Sequence, residues 1–287
     1  MSAAAYDSVS RFLLENLDIR GALVRLGPAW RQMHTGRGYA DAARDLLGEL
    51  TAVTAIIGCN LKTPGRLTFH LRGDGPVRML VVDCDEQLRL RGLAKAPADL
   101  RPAPIPALFG DGQLALTLDI NTAREPDQSI VPLDGNTVAD IFEHYLMQSE
   151  QAPSRLWLMA DTAHACGLFL QKLPDADRRD PDGWNRVQQL AATVTPAELT
   201  LPAEALLTRL FPEEDIRLFE ARPVAYHCPR NEEKVLEMLR SLGRDELEAT
   251  LAEQGEIVIN DDICHQEYRF GPEVLDALFP PPPRTLH

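Results

Sequence analysis

The hydrophobic period of this chain changes near residue 60, and that change restricts the fold more than any other feature. From Tyr39 to Cys59 the apolar residues Ala42, Leu46, Leu50, Val53 and Ile57 recur at three- and four-residue steps. This spacing predicts a long helix with one apolar face. From Leu67 onward the step is two: Leu67, Phe69 and Leu71 alternate with Thr68, His70 and Arg72, and Gly73–Pro76 then turns the chain. Met79–Val82, Leu88–Leu93, Leu114–Ile120, Leu156–Met159 and Leu168–Leu173 predict further strands, and Asn136 or Thr137 is placed to cap a helix running to about Ser149. Val9, Phe12, Leu13 and Leu17 predict a short helix over Val9–Leu17. A helix with one apolar stripe among alternating strands must lay that stripe on a sheet, so the fold class is α+β, strand-rich in its N-terminal half.

At Pro174 the composition shifts. Asp175, Asp177, Arg178, Arg179, Asp180 and Asp182 crowd a stretch with two prolines, in which Trp184 is the one large apolar residue. It reads as a linker, followed by helices at Trp184–Thr193 and Ala203–Leu210 and the acidic run Glu213–Asp215, an element with little apolar surface to anchor it. A small α+β part starts near Ile216: a strand to Cys228, helices Glu232–Leu242 and Glu246–Gln254, strands Glu256–Ile259 and Glu267–Phe270, and a last helix before Pro280. The expected division is 1–178 for an N-terminal core domain, 179–218 for a helical linker and 219–287 for a C-terminal domain. So small a core usually needs a staple, a metal or a docking surface.

A formal charge of −14 over 287 residues argues against a general nucleic-acid binder. The longest apolar stretch, Ala52–Cys59, is far short of the ~20 residues of a membrane span, and no apolar leader is read before Asp7, so a cytoplasmic protein is expected. Five dispersed cysteines do not form a secreted disulfide framework. Cys59, Cys84 and Cys166 sit in apolar runs and are expected in the core. The turns Gly73–Gly75 and Gly110–Gly112 precede strands, not helices, so they are hairpin turns and not phosphate loops. His70, His144 and His164 have no carboxylate at catalytic or ligand spacing, and no nucleophile elbow or dinucleotide fingerprint is present, so no enzyme is expected. In the tail, Cys228 and the run Asp261-Asp262-Ile263-Cys264-His265 form two separated cysteine-bearing turns, a weak echo of a small zinc site with neither knuckle intact.

Taken together, RLTFHLRGDG at Arg66–Gly75, LFGDGQLALTL at Leu108–Leu118, YLMQSEQAPSRLWL at Tyr145–Leu158 and GLFLQKLP at Gly167–Pro174 resemble the Hsp33 family of redox-regulated holdase chaperones, across nearly the whole chain. The resemblance implies a strand-rich N-terminal domain, a metastable helical linker and a C-terminal lobe that holds zinc through four cysteines, a C-x-C and a C-x-x-C. It implies unfolding client proteins as partners, no ATP, and a candidate homodimer as the active form. Aligned without gaps, the C-x-C falls on Cys228-Pro229-Arg230 and the C-x-x-C on Asp261-Asp262-Ile263-Cys264. Half the thiols are gone, and Arg230 and Asp261 replace them with opposite charges, a candidate ion pair where the metal would be. Cys228 and Cys264 are the disulfide candidates. Zinc is expected to be absent or weakly held, with Cys228, Asp261 and Cys264 as weak ligand candidates and His227 or His265 as conceivable supplements. The expected function is a holdase with an altered or lost redox–zinc switch. The alternative is an adaptor that recognises one partner through the divergent C-terminal domain.

Overall fold

The computed structural model describes residues 6–61, 63–120 and 126–279, and the chain divides into two compact units, residues 1–227 and 228–287. The first unit runs β1 (Ser8–Leu14), β2 (Ile19–Leu26), α1 (Pro28–His34), α2 (Asp41–Asn60), β3 (Gly65–Arg72), β4 (Met79–Cys84), β5 (Arg89–Lys95), α3 (Ile105–Phe109), β6 (Gln113–Ile120), β7 (Asp127–Pro132), α4 (Val138–Glu150), β8 (Ser154–Ala160) and β9 (Ala165–Lys172). It continues through α5 (Ala176–Arg179), α6 (Gly183–Ala191), α7 (Pro196–Leu199) and α8 (Ala203–Leu210) to the short strands β10 (Ile216–Leu218), β11 (Arg222–Pro223) and β12 (Ala225–Tyr226). The second unit holds α9 (Glu232–Leu242), α10 (Arg244–Gln254), β13 (Ile257–Asp261), β14 (Gln266–Phe270) and α11 (Glu273–Leu278). The fold class is α+β.

Two six-stranded sheets make the frame of the first unit. One has the order β10-β1-β2-β9-β8 with β11 also on β1; the other has the order β12-β5-β4-β3-β6-β7. Helix α2 packs on strands of both, burying small residues such as Ala42, Ala43, Gly48, Ala52 and Ala55 together with Leu47, Leu50 and Ile56. A Cβ on Gly48 would sit 2.4 Å from the Ala160 methyl of β8, so helix and sheet meet too closely there for any side chain. The buried hydroxyls of Thr51 and Thr54 donate to the carbonyls of Leu47 and Leu50, four residues back, so neither is left unsatisfied. Phe69 of β3 meets Phe142 of α4 edge-on at 4.7 Å, extending the same core outward.

Several expectations meet this frame directly. The strands of the β3–β6 region, the long helix and the Thr137 cap are present, the last as a capping box in which Thr137 and Asp140 exchange hydrogen bonds. Cys59, Cys84 and Cys166 are buried free thiols. Three readings are corrected. Val9–Leu17 is not a helix: residues 8–14 are β1, a strand flanked on both sides by others, and residues 15–18 are the turn into β2. A strand buried on both faces loses its alternation, and the chance spacing of Val9, Phe12, Leu13 and Leu17 imitates a helix. Gly110–Gly112 is not a hairpin turn but the junction between α3 and β6, where the Asp111 amide donates to Asp74 Oδ1 at 3.0 Å. The strand expected from Ile216 to Cys228 is three short pieces, β10 and β11 on β1 and β12 parallel to β5.

The second unit has a core of its own: Leu239, Leu247, Ile257, Tyr268, Phe270, Val274 and Leu278. Its helices begin and end close to where their apolar spacing places them, with Asn231 accepting the Lys234 amide at the start of α9.

One titratable group on α2 tests the packing. Burial, and then the neighbouring Asp45, push the Glu49 carboxyl from its ordinary 4.5 up to about 7. Folding therefore favours its protonated form, a contribution complete below 4.5 and lost as the pH rises through 7. Glu49→Gln is expected to stabilise the fold by about 2 kcal/mol at pH 8 and hardly at all at pH 4, allowing for partial solvent screening. Urea unfolding at the two pH values reads the difference, and an equal effect at both contradicts the assignment.

Candidate functional site

The first sheet has two apolar faces, and they have different covers. One face, with Val9, Ala22, Val24, Leu26, Ala165 and Phe169, packs on α2. The other carries Phe12 and Leu14 of β1, Ile19 and Leu23 of β2 and Cys166, Leu168 and Leu170 of β9. Alternation across the pleat separates the two sets. On β2, Gly21 leaves room for the Phe12 ring, whose Cζ a Cβ there would meet at 2.2 Å.

This second face is covered by the segment that follows β9. Ala176, Val187, Ala191, Leu199, Leu206, Leu207, Leu210 and Phe211 are buried against it, with Trp184 and Leu190 beside them. The segment's many charges lie on its outward side, so it is anchored by more apolar surface than its composition implies. Its helices are four, nine, four and eight residues long, all shorter than the ~12–15 residues at which an isolated helix becomes even marginally stable in water. Polar ties along its rim are mostly solvent-exposed: Lys172–Asp177, Arg186 with Asp180 and Glu214, Arg155 Nε to Gln188 Oε1 at 3.0 Å, and Asn16 to Asp215. Exposed pairs of this kind are worth about 0–1 kcal/mol each, so packing holds the cover down.

In the second unit, Cys228 and Cys264 are joined by a disulfide with Cα atoms 5.4 Å apart. Cys264 lies in the turn between β13 and β14, whose tight course takes His265 to φ 51°. Asp261 shapes that turn: its Oδ1 accepts the amides of Ile263 and Cys264 at 2.9 and 3.1 Å. Arg230 lies with its guanidinium 4.5 Å from the centre of the Tyr268 ring. Tyr268 ties the same strands together, its hydroxyl accepting from the Asn231 amide and donating to Gln266 Oε1, while Gln266 Nε2 donates to the Cys228 carbonyl. The candidate ion pair between Arg230 and Asp261 is not formed. Each charge has a closer local partner, an aromatic face for the cation and two peptide N–H groups for the anion.

The four positions that the family resemblance assigns to zinc do not fit the metal. Two sulfurs are bonded to each other, a third position carries a guanidinium, which cannot ligate, and the fourth gives its carboxylate oxygen to backbone amides. Among the described residues no group of three or more His, Cys, Asp or Glu side chains is arranged to hold a metal ion. A surface cleft beside α4, lined by Asp134, Glu143, His144, Arg155 and Trp184, has its charged groups engaged. Glu143 accepts from Arg155 and from the Leu156 amide, and His144 Nδ1 lies 2.7 Å from the Asp134 carbonyl.

The sequence singled out the tail cysteines and their replaced neighbours, and the fold gathers these around one turn. It does not assign Phe12, Leu14, Ile19 and Leu23 to a sheet face, because the spacing around Phe12 predicts a helix and nothing in it predicts β2. The signal for both was the Asn16–Asp18 turn between two short apolar runs.

These features define a two-unit α+β protein with a covered apolar sheet face and a small cysteine-bearing tail. A family model described as Hsp33 protein matches residues 7–271, and the chain belongs to the Hsp33 family. It is 40% identical over 276 residues to the 33 kDa chaperonin of Methylobacillus flagellatus, covering 95% of this chain and 94% of that one. It is 38% identical over 274 residues to the 33 kDa chaperonin of Nitrosococcus oceani, covering 95% and 94%. The crystal structure of the 33 kDa chaperonin of Thermotoga maritima shares the fold, with a TM-score of 0.80 at 22% identity over 96% of this chain and 98% of that one. The family is one of chaperones and not of enzymes.

The cystine closes a loop with a sequence separation of 36 residues. Chain entropy alone then gives it about 3–4 kcal/mol of stability. Reduction, or Cys264→Ser, is expected to lower the unfolding midpoint of the tail unit while leaving the first unit's transition in place. Calorimetry of oxidised, reduced and variant protein measures this, and a tail that melts at the same temperature in all three contradicts it.

Proposed function

We propose that this protein is an ATP-independent holdase of the cytoplasm, which binds unfolding proteins through apolar surface and keeps them from aggregating. The observation that carries the reading is the apolar sheet face under α5–α8. A cover of short helices held mainly by packing unfolds as a unit once that packing weakens. What it leaves behind is a preformed, largely rigid apolar surface, together with the exposed apolar side chains of the cover itself. Both suit clients that present apolar residues in no fixed order. The charge of −14 keeps chaperone and captured client in solution.

The redox control differs from the one the family resemblance implies. There, oxidation of four thiolates releases zinc, and the folding energy supplied by the metal goes with it. Here two thiols remain, and the bond between them adds to the stability of the tail. Oxidation therefore stabilises this tail, and loosening of the cover is set by heat or another perturbation of its packing.

The first test is suppression of aggregation of chemically unfolded clients without nucleotide, across temperature and redox state. Folded wild-type protein that protects no client under any of these conditions sinks the reading. Leu207→Asp places a charge in the buried contact between α8 and the sheet. It is expected to lift the cover, raise binding of an apolar fluorescent dye several-fold and give protection at temperatures where the wild type is inactive. A variant that exposes the surface by dye binding yet protects no better would place client binding elsewhere.

A further inference from the structure

We infer that the outer edge of β7 is a second client contact of a different kind, one that adds an extended polypeptide to the sheet through its backbone. Among the described residues β7 pairs with β6 alone. The direction of its peptide groups follows from that ladder. The Leu133 amide donates to the Gly112 carbonyl at 3.1 Å, one step beyond the Gln113–Pro132 pair, so the amides of Val131, Ser129 and Asp127 also face β6. The N–H and C=O groups of Gln128 and Ile130 then point away from the sheet, and Pro132, next in that series, has no N–H to offer.

Other edges of the two sheets are shorter or partly taken. The outward amide of Leu156 on β8 is taken by Glu143 Oε1 at 2.8 Å. Strands β10 and β12 are three and two residues long. β7 spans six residues, carries neither Lys nor Arg, and displays Ile130 at 59% exposure. Proteins normally blunt such an edge. Backbone groups are common to every polypeptide, so an open edge recognises an extended segment without regard to sequence, and Ile130 grips alternate apolar side chains beside it.

The occupant is an unfolded client segment and not a second copy of this chain. Two outward residues on each side would bury far less than the ~1,200 Å² of a stable interface, and two copies at −14 each repel. The same charge favours segments that are neutral or basic. This inference rests on the holdase reading for the identity of its partner, but uses a separate surface.

Amide exchange on the full chain tests it, with a synthetic peptide of alternating valine and lysine and its valine–glutamate counterpart as probes. The lysine peptide is expected to slow exchange at Gln128 and Ile130 by about tenfold or more, the glutamate peptide less. Ile130→Pro removes an outward donor while leaving the β6 ladder intact, and is expected to weaken binding of the lysine peptide by about tenfold. Unchanged exchange at both amides overturns the inference, as does slowing that needs no peptide and grows with protein concentration, which would give the edge to a second copy. A wild type that holds clients without this slowing defeats the edge alone. Slowing in a protein that holds no client defeats the proposed function and leaves the edge.

Discussion

The packing of α2 against both sheets is the constraint from which the rest of the first unit follows. A helix with neighbours on so many sides needs small residues at its closest approaches, as Gly48, Ala52 and Ala55 are, and turns its buried hydroxyls back onto its own carbonyls, as Thr51 and Thr54 do. It can satisfy just one face of the first sheet. The strands of that sheet are apolar on both faces, because β1, β2 and β9 lie inside it. The opposite face therefore needs a second cover, and the chain supplies one from the segment immediately after β9.

The two covers differ in kind. α2 is a 20-residue helix held in a core shared by both sheets, so removing it means unfolding the unit. The α5–α8 segment touches one face, in pieces of four to nine residues, and its rim is tied by exposed polar pairs. The proposed function has it open before global unfolding, because the sheet beneath keeps its ladders and its other face when the segment leaves. A stable sheet with a separable cover is what a surface needs if it is to be hidden and then shown without losing its shape.

What the sequence disclosed and what it hid follow from exposure. Strands with one buried face, such as β3 and β6, alternate cleanly, and α2 carries its stripe over five turns, so these were readable from spacing. β1 is buried on both faces and β7 is exposed on most of its length, and neither shows period two. The apolar residues of α6 and α8 marked helices, but which face they cover is a tertiary fact, and the charges around Asp175–Asp182 drew attention to solvent instead. In the tail, the two thiols were identified by resemblance, and the disulfide has both. Opposite charges at Arg230 and Asp261 suggest an ion pair from sequence, whereas in the fold Tyr268 lies nearer to Arg230 and the Ile263 and Cys264 amides nearer to Asp261.

The redox chemistry of the chain is confined by burial. Cys84 is pushed up to about 12 and Cys166 to about 11, chiefly by desolvation, and a thiol in that state is neither a nucleophile nor readily oxidised at physiological pH. Cys59 is 3% exposed and lies beside Arg222, whose guanidinium also holds the Cys59 and Glu86 carbonyls. Cys228 and Cys264 are the pair that redox chemistry has joined, with their Cα atoms 5.4 Å apart. Because Tyr268, Gln266 and Asn231 tie the same strands together independently of sulfur, breaking the bond removes a restraint on the unfolded chain without removing the contacts that shape the turn. On the function proposed above, a tail of this construction gains stability on oxidation, the opposite of the response proposed for a metal-centred tail, where oxidation removes the centre.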